Sequence, residues 1–294
     1  MKKILLLLTA VFAVFSASAI DYYRYRDQGS ARRLEGRVML IAVYAANNRN
    51  ADFAPGEKHY IDSVLVVAEE WLVARAAEYG KTVTFSNFSL GHRNSLFNNA
   101  VVSNDWVGTE ASPVNCYIIQ DIFEALNYDE GNYYSQFMHE KFDPSSYDQC
   151  VVLVFSPEKG RSYAMRHGYG GMNLMLEGAM IYLYAPEGWG AYLLSSYTVA
   201  HEMLHLFGAD DLYETYDRSA GSDAFAEKLY PTDIMLRGYH DVNSATLDRF
   251  TAWQVGLTDE FSEEFMPLSL KKSTLENVRQ QLERLQYKQL DVLK

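Results

Sequence analysis

In the segment VAHEMLHLFGADDLY, residues 199–213, two histidines stand four apart around a glutamate, with a glycine and two aspartates close behind. On a helix, residues four apart lie on one face, so His201 and His205 point the same way and their imidazoles can converge on one ion. Zinc suits such a pair, because it accepts neutral imidazole nitrogen and tolerates a tetrahedral site with one position open. Glu202 follows the first histidine and projects beside the ion, where it can hold a water instead of binding metal. Gly208 can take positive φ and turn the chain sharply, so that a side chain three residues later returns to the ion. The expected third ligand is therefore Asp211, with its neighbour Asp210 pointing away. Two histidines and one carboxylate leave a position for water. An acidic pair after a helix can also be a plain turn or a solvated helix end.

Positioning these groups requires a helix on a layered core. Leu194, Tyr197, Ala200, Leu204 and Phe207 recur at helical spacing through the motif. Upstream, VMLIAVYAA (38–46) reads as a buried strand, residues 57–79 as a helix stopped by Gly80, and TVTFSNFSL (82–90) as a second strand. Strand, helix and strand in that order argue for an α/β layer with a right-handed crossover. A further helix is expected over 113–127, and CVVLVFS (150–156) and AMIYLYA (179–185) are expected as strands. RSYAMRHGYGGMN between them reads as a glycine- and aromatic-rich loop. Past Gly256 the composition turns acidic, and STLENVRQQLERLQYKQL, capped by Ser273 and Glu276, forms a last helix.

The first nineteen residues combine two lysines, an apolar run from Ile4 to Phe15 and a small-residue end at Ala17-Ser18-Ala19. That is the layout of a Sec signal peptide, so the mature protein is expected in the periplasm or outside the cell, without a membrane anchor. The net charge of −12 becomes more negative without Lys2 and Lys3. So acidic a chain is a poor partner for nucleic acid or an anionic membrane surface. Cys116 and Cys150 leave one disulfide open in an exported chain. His59, His92, His139, His167 and His240 are scattered and read as surface or satisfied core residues. The 22 tyrosines, spread along the chain, read as packing and amphipathic surface residues. Gly168, Gly170 and Gly171 lack phosphate-loop spacing, which argues against nucleotide binding.

HExxHxxGxxD, running from His201 to Asp211, resembles the metzincin clan of zinc peptidases, and its terminal aspartate is similar to snapalysin and the immune inhibitor A group. A tyrosine follows closely in that group, as Tyr213 does here. The resemblance implies a methionine turn beneath the zinc, matched by Met235 in YPTDIMLRGY, and a closing helix, matched by LDRFTAWQVGL (247–257). It also implies a twisted mixed sheet with backing helices, an active-site helix and a small C-terminal subdomain. One upstream strand would be the rim that holds an extended peptide, either AMIYLYA or the glycine-rich loop before it. A tyrosine two positions after the methionine assists in several members; Arg237 stands there, so Tyr239 is the candidate for that role. The implied organisation is a leader over 1–19, an N-terminal segment over 20–37, a catalytic domain over 38–257 and a helical extension over 258–294. The expected protein is a monomeric zinc endopeptidase acting on protein or peptide, with Glu202 as general base. The competing expectation is an exported, non-catalytic binding protein on the same scaffold.

Overall fold

The computed structural model describes residues 26–47, 52–92, 95, 107–109, 122–123, 128, 133–166, 177–188, 193–213, 220–236, 241–262, 265 and 268. The leader, Cys116, Gly168–Gly171, Tyr239, the helix expected after residue 272 and most of the one expected over 113–127 lie outside these residues.

Continuous apolar runs suit strands covered on both sides, and the central strands of the sheet are built from such runs. β1 (Gly36–Asn47) is flanked by β2 (Val83–Leu90) and β4 (Gln149–Lys159), both parallel to it, with Val38 opposite Phe85 on one side and Gln149 on the other. The short β3 (Val107–Thr109) pairs with the last residues of β1. β6 (Gly178–Tyr184) runs parallel to β4 through a register shift between Ser156 and Lys159. β5 (Tyr163–Met165) adds antiparallel to β6, giving the order β2-β1-β4-β6-β5 and a mixed sheet. The protein is thus of mixed α/β class.

Strand alternation sorts the core into two layers. Val38, Leu40, Ala42 and Tyr44 face α1 (Glu57–Glu78) and α3 (Ser196–Leu206), which pack on each other. Met39, Ile41 and Val43 face the other way, toward α2 (Tyr133–Lys141), where Phe137 and Met138 are buried. Cys150 lies in this second layer with its Sγ 3.8 Å from the Met138 sulfur. Beyond α3 come α4 (Ala220–Leu229) and α5 (Arg249–Gln254), the latter within the stretch read from sequence as the closing helix. Among the described residues, no helix is long and apolar enough to cross a membrane.

Two sequence expectations change. AMIYLYA is an interior strand, not a rim, because β5 covers its outer side. β5 itself comes from residues read as loop; three residues are too few to show a period. Described residues on both flanks of the 38–257 span also join the core. The Leu34 amide donates to Val255 O at 2.9 Å, Arg26 lies over the Trp253 ring, and Phe265 is fully buried against Phe250 and Trp253.

Glu69 of α1 is buried and accepts from Asn87 Nδ2 at 2.9 Å, while its Oε1 has no hydrogen-bond partner among the described residues. Burial pushes its carboxyl up to about 8, against the lowering effect of Asn87. The folded state therefore favours the protonated acid. That stabilising contribution is complete below the unfolded value and is lost as pH rises through the folded one. Glu69→Gln removes the titration, so its melting temperature relative to wild type is expected to climb between pH 5 and pH 9. Each kcal/mol moves Tm by roughly 2–4 °C in a chain of this size; a difference of several degrees by pH 9, read by thermal melts across pH, is the expected result.

Candidate metal centre

Ser195 caps α3, its side chain accepting from the Thr198 amide. The helix ends in a Schellman turn: Gly208, at φ 106°, donates to His205 O, and Ala209 donates to Leu204 O. Only a residue tolerant of that φ reverses the chain so sharply, and the reversal brings Asp211 back over the helix.

Asp211 Oδ1 lies 3.1 Å from His201 Nε2 and 3.3 Å from His205 Nε2. The two rings are 4.8 Å apart and nearly perpendicular, at 88°. Their other nitrogens are fixed by backbone: His201 Nδ1 sits 2.9 Å from Ile234 O and His205 Nδ1 2.8 Å from Ala209 O. A carbonyl oxygen only accepts, so each Nδ1 carries a hydrogen and each ring turns its Nε2 toward Asp211, sharing a proton there when charged and offering a lone pair to a metal when neutral. Three lone-pair donors meeting at one point repel one another unless positive charge lies among them. Bonds of about 2.0–2.2 Å at tetrahedral angles hold ligand atoms roughly 3.3 Å apart, which matches the spacing seen here. His201, His205 and Asp211 therefore form a group able to hold a metal ion.

The charges agree. Burial works against ionising Asp211, yet His205 and His201 outweigh it and hold the carboxyl well below its usual range. Burial likewise opposes a proton on His201, but Asp211 and Glu202 push that imidazole up to about 9. The point where the three side chains meet thus attracts a cation. Glu202 is buried beside it, and its Oε2 has no hydrogen-bond partner among the described residues. Burial raises its carboxyl, opposed by His201 and His205.

The sequence choice between the two aspartates fits the geometry. Asp210 turns away to Arg166 and to Gln254 Nε2, the latter at 3.3 Å. Arg166 also donates to Ala209 O at 2.6 Å, the carbonyl that orients His205. Met235 is fully buried, and its carbonyl accepts the Leu212 amide at 2.7 Å. Asp233 secures this turn: its carboxylate accepts from the Met235 amide, the Asp248 amide and the Thr251 hydroxyl at 2.8, 2.8 and 3.0 Å. Burial raises the Asp233 carboxyl to about 7, although these donors lower it.

Arg161 and Arg166 carry no signal in the motif, whereas Tyr213 is the tyrosine that follows it. Arg161, just before β5, donates to the Tyr213 hydroxyl at 3.1 Å and acts electrostatically on Asp211 and Glu202. Tyr213 stacks on His201 at 6.4 Å, and its hydroxyl bonds to Asp211; burial first, then Asp211, raises the phenol well above its usual value. No spacing rule could find Arg161 or Arg166, because both reach the centre from either side of β5, 52 and 44 residues from their partners in the chain. The structure also gathers His59 and His92, two of the five scattered histidines, around Asp62.

No protein-family profile matches the chain, and no curated protein matches it in sequence.

Asp211→Asn is expected to weaken zinc binding by more than about a hundredfold, above the cost of losing an outer partner of a metal ligand. Asp210→Asn is expected to stay within about tenfold of wild type. Zinc titrations against a competing chelator compare the two directly.

Proposed function

We propose that this chain is an exported zinc-dependent endopeptidase of metzincin type. What carries the reading is the convergence of His201 Nε2, His205 Nε2 and Asp211 Oδ1, with the buried Glu202 carboxylate alongside. When bound there, zinc supplies a Lewis acid that brings the pKa of a water toward neutrality and polarises a carbonyl.

The chain's own residues do the rest. Ile234 O and Ala209 O keep both imidazoles in the metal-binding tautomer. Glu202 accepts the proton of the attacking water and returns it to the leaving amine; a carboxyl raised by burial suits both transfers. Met235 supplies an apolar floor below the ligands, as the methionine does in metzincins. The Arg161 guanidinium, beside Tyr213, is a cation available to the charge that develops on the substrate oxygen. Tyr239 stands as a second candidate for that charge, on the resemblance alone.

β5 takes the part of the peptide-holding rim. It is an edge strand beside α3, and no strand pairs with its other side among the described residues. An extended substrate can add there through main-chain hydrogen bonds. The signal-peptide pattern of residues 1–19 supports export, and the HExxHxxGxxD motif supports zinc.

Glu202→Ala is expected to retain zinc and to lose at least about a thousandfold in turnover, within the span attributed to general acid–base catalysis. Digestion of fluorescent casein by wild type and variant, with metal content measured on the same samples, tests this. Equal cleavage by the two proteins, or cleavage indifferent to a chelator, would reject the mechanism.

A further inference from the structure

We propose that the protein holds a second divalent transition-metal ion, bound by His59, Asp62 and His92 at the carboxyl ends of β1 and β2. His59 and Asp62 stand three apart in the first turns of α1 and so share a face. His92 lies two residues past the end of β2. Each offers one ligand atom, and these atoms all lie within 4.8 Å of one another.

Asp62 Oδ2 is 3.3 Å from His92 Nε2 and 4.0 Å from His59 Nδ1. The first distance is the spacing of two ligands on one tetrahedral ion, the same as that found between His205 and Asp211. The second closes by a small rotation of His59, whose side chain is 54% exposed and whose ring lies edge-on to that of His92 at 4.8 Å. The other two are held in place. The Asp62 side chain has no exposure and accepts from the Tyr44 hydroxyl through Oδ1 and from Ser95 Oγ at 3.0 Å through Oδ2. The His92 ring packs edge-on against Tyr44 at 5.1 Å. Ligating carboxylates are ordinarily fixed by outer hydrogen bonds of this sort. Asp211 has the same arrangement, with two imidazole nitrogens before its carboxylate and a tyrosine hydroxyl bonded to it.

The position in the fold favours a ligand as well. The chain leaves β1 for β2 on one side, and β4 later lies on the other, so the strand order reverses at β1. Open parallel sheets take ligands outside the carboxyl ends of their strands near such a reversal, and this group borders the crevice between β1 and β4, where Tyr44 stacks on Phe155. Tyr44, near that end of β1, contacts both Asp62 and His92. Two imidazoles and one carboxylate select zinc, cobalt, nickel or copper over calcium and magnesium. The solvent-facing side of His59 leaves room for water ligands. The group shares no residue with the His201 centre. Its ion would clasp the start of α1 to the segment leaving β2, where Lys58 already donates to Gly91 O at 2.7 Å.

The test is a zinc titration by calorimetry on the full chain carrying His201→Ala and His205→Ala, which removes the first centre. One bound equivalent, together with a rise in Tm on adding zinc, is expected. Adding His59→Ala, a solvent-facing change that spares the core, should weaken that binding by at least about a hundredfold and abolish the Tm rise. In the wild-type background the same substitution should lower the zinc content from two equivalents to one. A folded double variant that binds no zinc would overturn the proposal, leaving an ordinary ion pair between His92 and Asp62. So would zinc binding that His59→Ala and His92→Ala leave unchanged.

Discussion

Two backbone carbonyls determine what the His201–His205 pair can do. Ile234 O and Ala209 O each take the Nδ1 hydrogen of one ring, which fixes both tautomers and both ring orientations together. Were either carbonyl a few ångströms away, its histidine could flip and the two Nε2 lone pairs would no longer meet Asp211. Neither carbonyl belongs to α3. Ala209 O comes from the turn made by Gly208, and Ile234 O from a segment more than twenty residues further along the chain. The helix supplies the two histidines, and the loops that follow set their aim and add Asp211.

The buried carboxylates divide by what surrounds them. Asp211 faces imidazoles and ionises readily, whereas Glu69, Glu177 and Asp233 sit where burial outweighs their donors and are pushed up to about 8, 7 and 7. Asp233 is a positioning residue. It binds the amide of Met235, that of Asp248 and the hydroxyl of Thr251, so the turn carrying Ile234 O is tied to the start of α5. Glu177 does a comparable task at the other end of the chain, accepting the Ser30 amide at 2.9 Å. Such groups cost desolvation energy, and they are retained where a loop has to be held in one place.

Much of this was legible in the sequence because its signals are local. HExxH needs only helical periodicity, and Asp211 follows from Gly208 and a count of three. The strands around 38–46, 150–156 and 179–185 stand out because burial on both faces demands unbroken apolar runs. What was missed depends on distance along the chain. Arg161 reaches Tyr213 across 52 residues, and Arg166 reaches Asp210 across 44, so neither leaves a pattern in any short window. β5 is too brief to show alternation. His59 and Asp62 at helical spacing were a signal within reach, but His92 gives them meaning only once β2 is laid beside β1.

The bonds between the two ends of the described chain carry a kinetic consequence. Leu34 pairs with Val255, and Arg26 with Thr258 and Asp259, contacts that span more than two hundred residues. Such long-range closure is slow, and it cannot begin until the far end of the polypeptide exists. A nascent chain emerging amino end first therefore holds every described strand of the sheet, the last ending at Tyr184, before these contacts can form. Until residues 255–259 have been made, Leu34 and Arg26 lack these partners, so the two flanks of the sheet are the last parts to be tied together.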